Sequence, residues 1–260
     1  MAEISRSAKT KLIAIIVLSV TTFSFGVGFF TFLGLEFFGP EPVIETPEEI
    51  TLIEQDMHIE GTFNRAYNES SQQISFLVPF ALYYHFRIEV NREIPYPSFV
   101  RPDSVRFVAE YIRDHVDYPD DDECVIRGIL SFVQDRGPNN ASMKYIYDAE
   151  SSGAKFPIET LCEGGGDCED SAIFFLSLAK ALGYEVVICY SPNHAFAAIK
   201  MESPPVHTFD RNDYYTPFYL YIDGDFYYTC ECTGYWAIGH LPSSIPPVSI
   251  TWEPVPYQPQ

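Results

Sequence analysis

The sequence predicts an α+β fold with helices first and an antiparallel sheet last, preceded by one transmembrane helix. Three observations carry this: a charge-free stretch at residues 12–35, apolar residues at helical spacing through the first half, and alternating β-rich segments after residue 184.

The order of elements follows from local chemistry. Residues Leu12 to Leu35 carry no charge, and 24 residues make a helix of about 36 Å, enough to cross a bilayer. Arg6, Lys9 and Lys11 precede the stretch and Glu36 follows it, so residues 1–11 are expected in the cytoplasm and the remainder outside. The lipid bilayer is thereby an expected partner through residues 12–35, and the expected location is a single-pass cell-membrane protein. Residues 36–60, opening with Gly39-Pro40-Glu41-Pro42 and then acidic, read as a linker.

Residues 61–100 form a lead-in to the domain. A hairpin is predicted around Asn68–Ser71, followed by a helix opened by Pro79 and running to about Val90. The domain proper spans 101–240. Val105, Val108, Ile112 and Val116 mark one helix face over 103–116, and Ile126, Ile129, Leu130 and Val133 mark the next, opened by the acids Asp120–Asp122. A further helix runs from Cys168 to about Leu182 and stops at Gly183. Strands follow at 185–190, 194–200, 218–222 and 226–233, with Asp223-Gly224 as the turn between the last two. Residues 241–260 hold six prolines and are expected to be extended, wrapping the domain.

Composition narrows the partners. The net charge is −20, and the first 35 residues are basic, so the acid excess belongs to the rest of the chain. Such a surface repels nucleic acid, and no basic stripe offsets it. The six cysteines are an even number, yet 260 residues do not need staples to fold. Cys230 and Cys232 are poor disulfide partners, because alternate strand residues point in parallel. Their spacing with Cys162, Cys168 and His194 is not that of a zinc site, and Asp120–Glu123 lacks the spacing of a calcium loop. No metal or cofactor is expected.

The candidate chemistry centres on Cys168. Asp167 is a good N-cap, which places the thiol at the first helical position, under the positive end of the helix dipole. Asp167, Glu169 and Asp170 oppose ionisation of that thiol, so a cationic partner is needed. His194 can supply it from the start of a strand after Pro192-Asn193, and Glu231 can orient the ring from the last strand. Cys168, His194 and Glu231 are the candidate catalytic residues. Gln134 and Trp236 are weaker candidates for a second oxyanion donor.

The run Phe156-Pro157-Ile158-Glu159-Thr160-Leu161, then Gly164-Gly165-Gly166-Asp167-Cys168-Glu169-Asp170-Ser171-Ala172, resembles the nucleophile segment of transglutaminase-like domains. Asn193-His194-Ala195-Phe196 looks like that family's histidine strand and Glu231-Cys232-Thr233 like its acid position, where many members have Asp-Pro-Thr. The resemblance covers roughly residues 105–240. It implies a papain-like α+β core and a cysteine enzyme acting on an amide bond of a protein or peptide through a thioester, with hydrolysis favoured over amine transfer. A catalytically inactive binding or scaffold module on the same fold is the alternative. Two departures stand out: the acid is Glu, and residues 202–216 read as an insertion between histidine and acid.

Overall fold

The computed structural model describes residues 56–65, 70–88, 94–136, 143–147, 153–206 and 216–256. The predicted membrane stretch 12–35, its flank 1–11 and nearly all of the acidic linker lie outside these residues. Among the described residues, no helix is long and apolar enough to cross a membrane. The expectation of a transmembrane helix, and of a single-pass cell-membrane location built on it, is therefore corrected. The fold class is corrected with it. The described chain is a mixed α/β arrangement around an antiparallel sheet, not an established papain-like core behind a membrane anchor.

The first described pair is β1 (Met57–Asn64) and β2 (Ser71–Val78), antiparallel with Asn64 opposite Ser71. The turn of the predicted hairpin falls at 66–69, outside the described residues. Helix α1 (Phe80–Arg87) stops earlier than the sequence suggested, and α2 (Pro102–His115) and α3 (Asp122–Val133) follow. Pro102 suits the first turn of α2, where its missing N–H costs nothing. Asp121 caps α3 by accepting the Glu123 N–H. Val105, Val108 and Ile112 on α2, and Ile126, Ile129 and Leu130 on α3, are all buried, so the 3.6-residue spacing read their inner faces correctly.

Next come β3 (Lys144–Tyr145), α4 (Pro157–Glu163), β4 (Gly165–Gly166) and α5 (Cys168–Ala181). Helix α4 and the short parallel bridge between β3 and β4 were not anticipated. The main sheet holds β5 (Val186–Ser191), β6 (His194–Lys200), β7 (Tyr219–Ile222), β8 (Asp225–Cys230) and β9 (Thr251–Pro254) in the order β7-β8-β6-β5-β9. Every pairing in it is antiparallel.

Helix α5 packs on β5 and β6 and joins α2 and α3 in the main core. The strands sort their residues by alternation. Ile188, Ala197, Ile199 and Cys230 face the helices, while Val187, Cys189, Phe196 and Ala198 face a second apolar cluster closed by Ile245. That closing residue comes from the proline-rich tail. The tail lies across the outer face and then adds β9 beside β5, pairing Thr251 with Tyr190 and Pro254 with Val187. All six cysteines are free thiols.

Candidate active site

The nucleophile loop is shaped by close approach of two backbones. Lys144 N–H donates to the Gly164 carbonyl at 2.9 Å, and Ile146 N–H to the Gly166 carbonyl at 2.8 Å. Gly165 sits at φ +146°, and a Cβ there would lie 1.9 Å from the Lys144 carbonyl oxygen. A Cβ on Gly166 would meet the Asp170 side chain at 2.3 Å. These glycines seat the loop directly against the first turn of α5. Gly165→Ala is expected to cost at least about 2 kcal/mol, because strained φ and a backbone clash act together. A fall in the denaturant midpoint checks this; an unchanged midpoint means the β3–β4 bridge does not form.

Asp167 caps α5, accepting the Asp170 N–H at 3.4 Å while the Asp170 carboxylate reaches back to the Asp167 N–H at 3.4 Å. The Asp170 carboxylate also accepts the Lys155 N–H at 2.6 Å, and the Lys155 ammonium lies 3.7 Å away. The Asp170 side chain is thus a structural tie between the α4 entry and the α5 start.

Cys168 stands at the first helical position, half-buried. Its thiol donates to Glu169 Oε2 at 3.1 Å. The hydroxyl of Tyr96, on a short 3-10 turn, reaches the other Glu169 oxygen at 3.5 Å. Ligand atoms of Asp167, Cys168 and Glu169 all lie within 4.8 Å of one another. Burial pushes the thiol up to about 12; the Ala195 backbone N–H pulls the other way, and the hydrogen bond and charge of Glu169 and the charge of Asp167 add to the rise. Asp167 itself is raised above the ordinary carboxylate value by burial and by its acidic neighbours Asp170 and Glu169. The dipole of α5 is therefore outweighed at rest by desolvation and like charge.

His194 opens β6 directly after the Pro192-Asn193 turn and pairs in register with Ser191. Its Nε2 lies 2.7 Å from Glu231 Oε2. Strand β8 ends at Cys230, so Glu231 lies just beyond the strand on which it was expected. The alternation still holds: Cys230 and Cys232 enter the main core while Glu231 turns to the histidine. The other Glu231 oxygen accepts the Thr233 N–H at 2.9 Å and the Thr233 hydroxyl at 2.6 Å. The Glu231 side chain is 1% exposed. Burial raises its pKa, but the His194 hydrogen bond and charge and the Thr233 donors outweigh burial and leave the group below the ordinary carboxylate value.

The structure thus joins His194 to Glu231 directly. It brings the Cys168 sulfur to the same strand, facing the Ala195 peptide N–H next to His194. The thiol proton is held by Glu169 and the imidazole by Glu231, so the two halves are adjacent but separately hydrogen-bonded. Gln134, weighed as an oxyanion donor, is instead fully buried with its amide donating to the carbonyls of Glu231 and Trp236, both at 2.8 Å. It brackets the loop that carries the acid. Trp236 stacks on His240, rings 4.0 Å apart and 7° from parallel.

Two contributors, Tyr96 and Thr233, were not read from sequence; Glu169 was read as a charge opposing ionisation, but its hydrogen bond to the thiol, and that of Tyr96 to Glu169, depend on tertiary placement. Thr233 had a signal: an acid followed two residues later by Thr can accept from that residue's own N–H.

Two cavities are notable. One of about 570 Å³ opens on His194 and Glu231; another of about 480 Å³ lies on the far side, near Arg106 and Lys180. Both of those cations are already bound to backbone carbonyls, of Ala181 and Val255, and no cysteine, serine, threonine or histidine lines the second cavity. Compared with protein-family models, with curated proteins and with solved structures, the chain matches none.

Proposed function

We propose that this chain is a transglutaminase-like cysteine enzyme acting on an amide bond of a protein or peptide through a thioester. The observation that carries the reading is the His194–Glu231 pair at 2.7 Å, a partly exposed ring on a buried carboxylate, with His194 on the strand whose Ala195 N–H faces a cysteine at a helix start. A carboxylate that fixes one ring nitrogen leaves the other to take a proton from the thiol. The Cys168 sulfur then attacks the carbonyl carbon, and the C–N bond breaks. The departing amine takes the proton from the imidazolium. His194 next removes a proton from water, whose oxygen displaces the sulfur and releases the acid. Backbone N–H groups at the start of α5 are the natural oxyanion donors. Glu231 keeps its charge and holds the ring throughout.

A binding module on the same scaffold is the second reading. The observation favouring it is that the thiol is bonded to Glu169 and is raised to about 12. Acylation by p-nitrophenyl acetate, followed by intact mass, separates the two. The enzyme reading expects a single acetyl group on Cys168, absent in Cys168→Ala and slowed about 100-fold in His194→Ala. Equal, slow labelling of several cysteines in all three proteins supports the binding module.

A further inference from the structure

The cavity beside His194 is too large for the smallest leaving groups and acceptors. At about 570 Å³ it falls within the roughly 300–1,000 Å³ of small-molecule sites, far beyond the space a water or ammonia molecule fills. Its floor contains the imidazole and the carboxylate. Its walls are the Pro192 turn, Trp236, and the tail segment with Pro242, Ile245 and Pro246. Trp236 as a residue is 39% exposed, and Gly234 lets the indole pack close, since a Cβ there would lie 2.6 Å from Trp236 Nε1. Cys168 and its acidic neighbours Asp167 and Glu169 do not line this cavity, and its one carboxylate, Glu231, is saturated by His194 and Thr233. The cavity is thus mixed in character: Trp236, Ile245 and three prolines stand among the polar side chains of Ser191, Asn193 and Ser244, while the acids gather around the sulfur.

We propose that this cavity is the subsite for the amine half of the amide, and that it takes an amine bearing an aromatic or bulky apolar group. The inference rests on the enzyme reading above and deepens it. Chemistry places the amine there. His194 must protonate the departing nitrogen, and in the reverse sense must deprotonate an incoming one, so the nitrogen's substituent occupies the space the imidazole faces. The face of Trp236 not covered by His240 is the one left for ring stacking, and the prolines present rigid apolar walls that need no ordering on binding. The favoured substrates are consequently secondary amides with an apolar residue on the amine side. A primary amide, which releases only ammonia, leaves the cavity unused.

The test uses the acetyl-enzyme made from the full chain with p-nitrophenyl acetate. It is allowed to partition between water and either phenethylamine or propylamine, at matched concentrations of the free base, and the N-acetyl products are quantified. The wild-type protein is expected to transfer to phenethylamine about tenfold more efficiently than to propylamine, in keeping with the 10–200-fold range of apolar pocket discrimination. Trp236→Ala is expected to bring the ratio to within about twofold. Ser244→Trp, which fills the cavity from an exposed position on the tail, is expected to do the same and guards against misfolding of the first variant. Because the readout is a ratio on one acyl-enzyme, changes in acylation rate cancel. Equal transfer to both amines by the wild type, or hydrolysis with transfer to neither, overturns the subsite while leaving the enzyme reading intact. Failure of any acetyl-enzyme to form on Cys168 overturns the enzyme reading and the subsite together.

Discussion

Glu231→Ala is expected to be the most damaging single change near the site, for stability and for reactivity at once. The carboxylate is buried and takes hydrogen bonds from His194, the Thr233 N–H and the Thr233 hydroxyl. Removing it strands donors around a cavity the size of a side chain, at about 1–3 kcal/mol for each donor left unsatisfied. His194 also loses the group that fixes its ring. Chemical denaturation should show the loss of stability, and p-nitrophenyl acetate acylation of Cys168 should fall about 100-fold or more. Glu231→Gln separates the effects, because the amide keeps the volume but not the charge. Acylation of Glu231→Ala at the wild-type rate would mean that the pair plays no part in activating the thiol.

The same carboxylate sets a direction with pH. Its folded value is depressed, so its contribution to stability is fully present above the unfolded carboxylate value of about 4.3 and is lost as pH falls through the lower, folded value. Wild-type protein should therefore lose more stability on acidification below about pH 4.3 than Glu231→Gln does.

Glu169→Gln is expected to act in the opposite sense, activating the thiol. Glu169 accepts the Cys168 proton at 3.1 Å, and its charge helps hold the thiol at about 12. Removing one charge at that distance in a half-buried setting should lower the thiol by about one to two pH units, burial still keeping it above an unperturbed cysteine. At pH 8 that is about a tenfold or greater gain in thiolate. Iodoacetamide alkylation of Cys168 followed from pH 6 to 11 reads the shift directly. Tyr96→Phe removes the second partner of Glu169 but not its charge, and should move the profile much less. A Glu169→Gln profile superimposable on wild type would show that the sulfur faces some other group in solution.

Much of this site was legible in the linear chain, for identifiable reasons. Cys168 follows a strong N-cap, so its place at a helix start was fixed by local chemistry. Histidine 194 follows a two-residue turn, and period-two alternation turns Glu231 away from the core that takes Cys230 and Cys232. Their meeting is a matter of register. Ala197 pairs with Cys230 across β6 and β8, and that single alignment brings His194 and Glu231 to the same end of the sheet. What sequence could not supply was the side-chain choice of the thiol between two partners. Neighbouring acids were visible at 167, 169 and 170, but which of them would hold the proton depends on rotamers. Helix α4 is only seven residues and too short for periodicity, and the β3–β4 bridge is two residues paired across twenty, beyond any local signal. The membrane expectation concerned residues 12–35, which lie outside the described residues, and no described helix is long and apolar enough to cross a membrane.

The order of the main sheet has one more effect. Its two outermost strands, β7 and β9, are four residues each, and β9 ends in a proline with another two residues on. A second molecule seeking to extend the ladder finds few free amides on either border, and on one of them a ring where a donor should be. The brevity of these borders therefore discourages strand-to-strand aggregation in a protein whose sheet is otherwise rich in aromatic and β-branched residues.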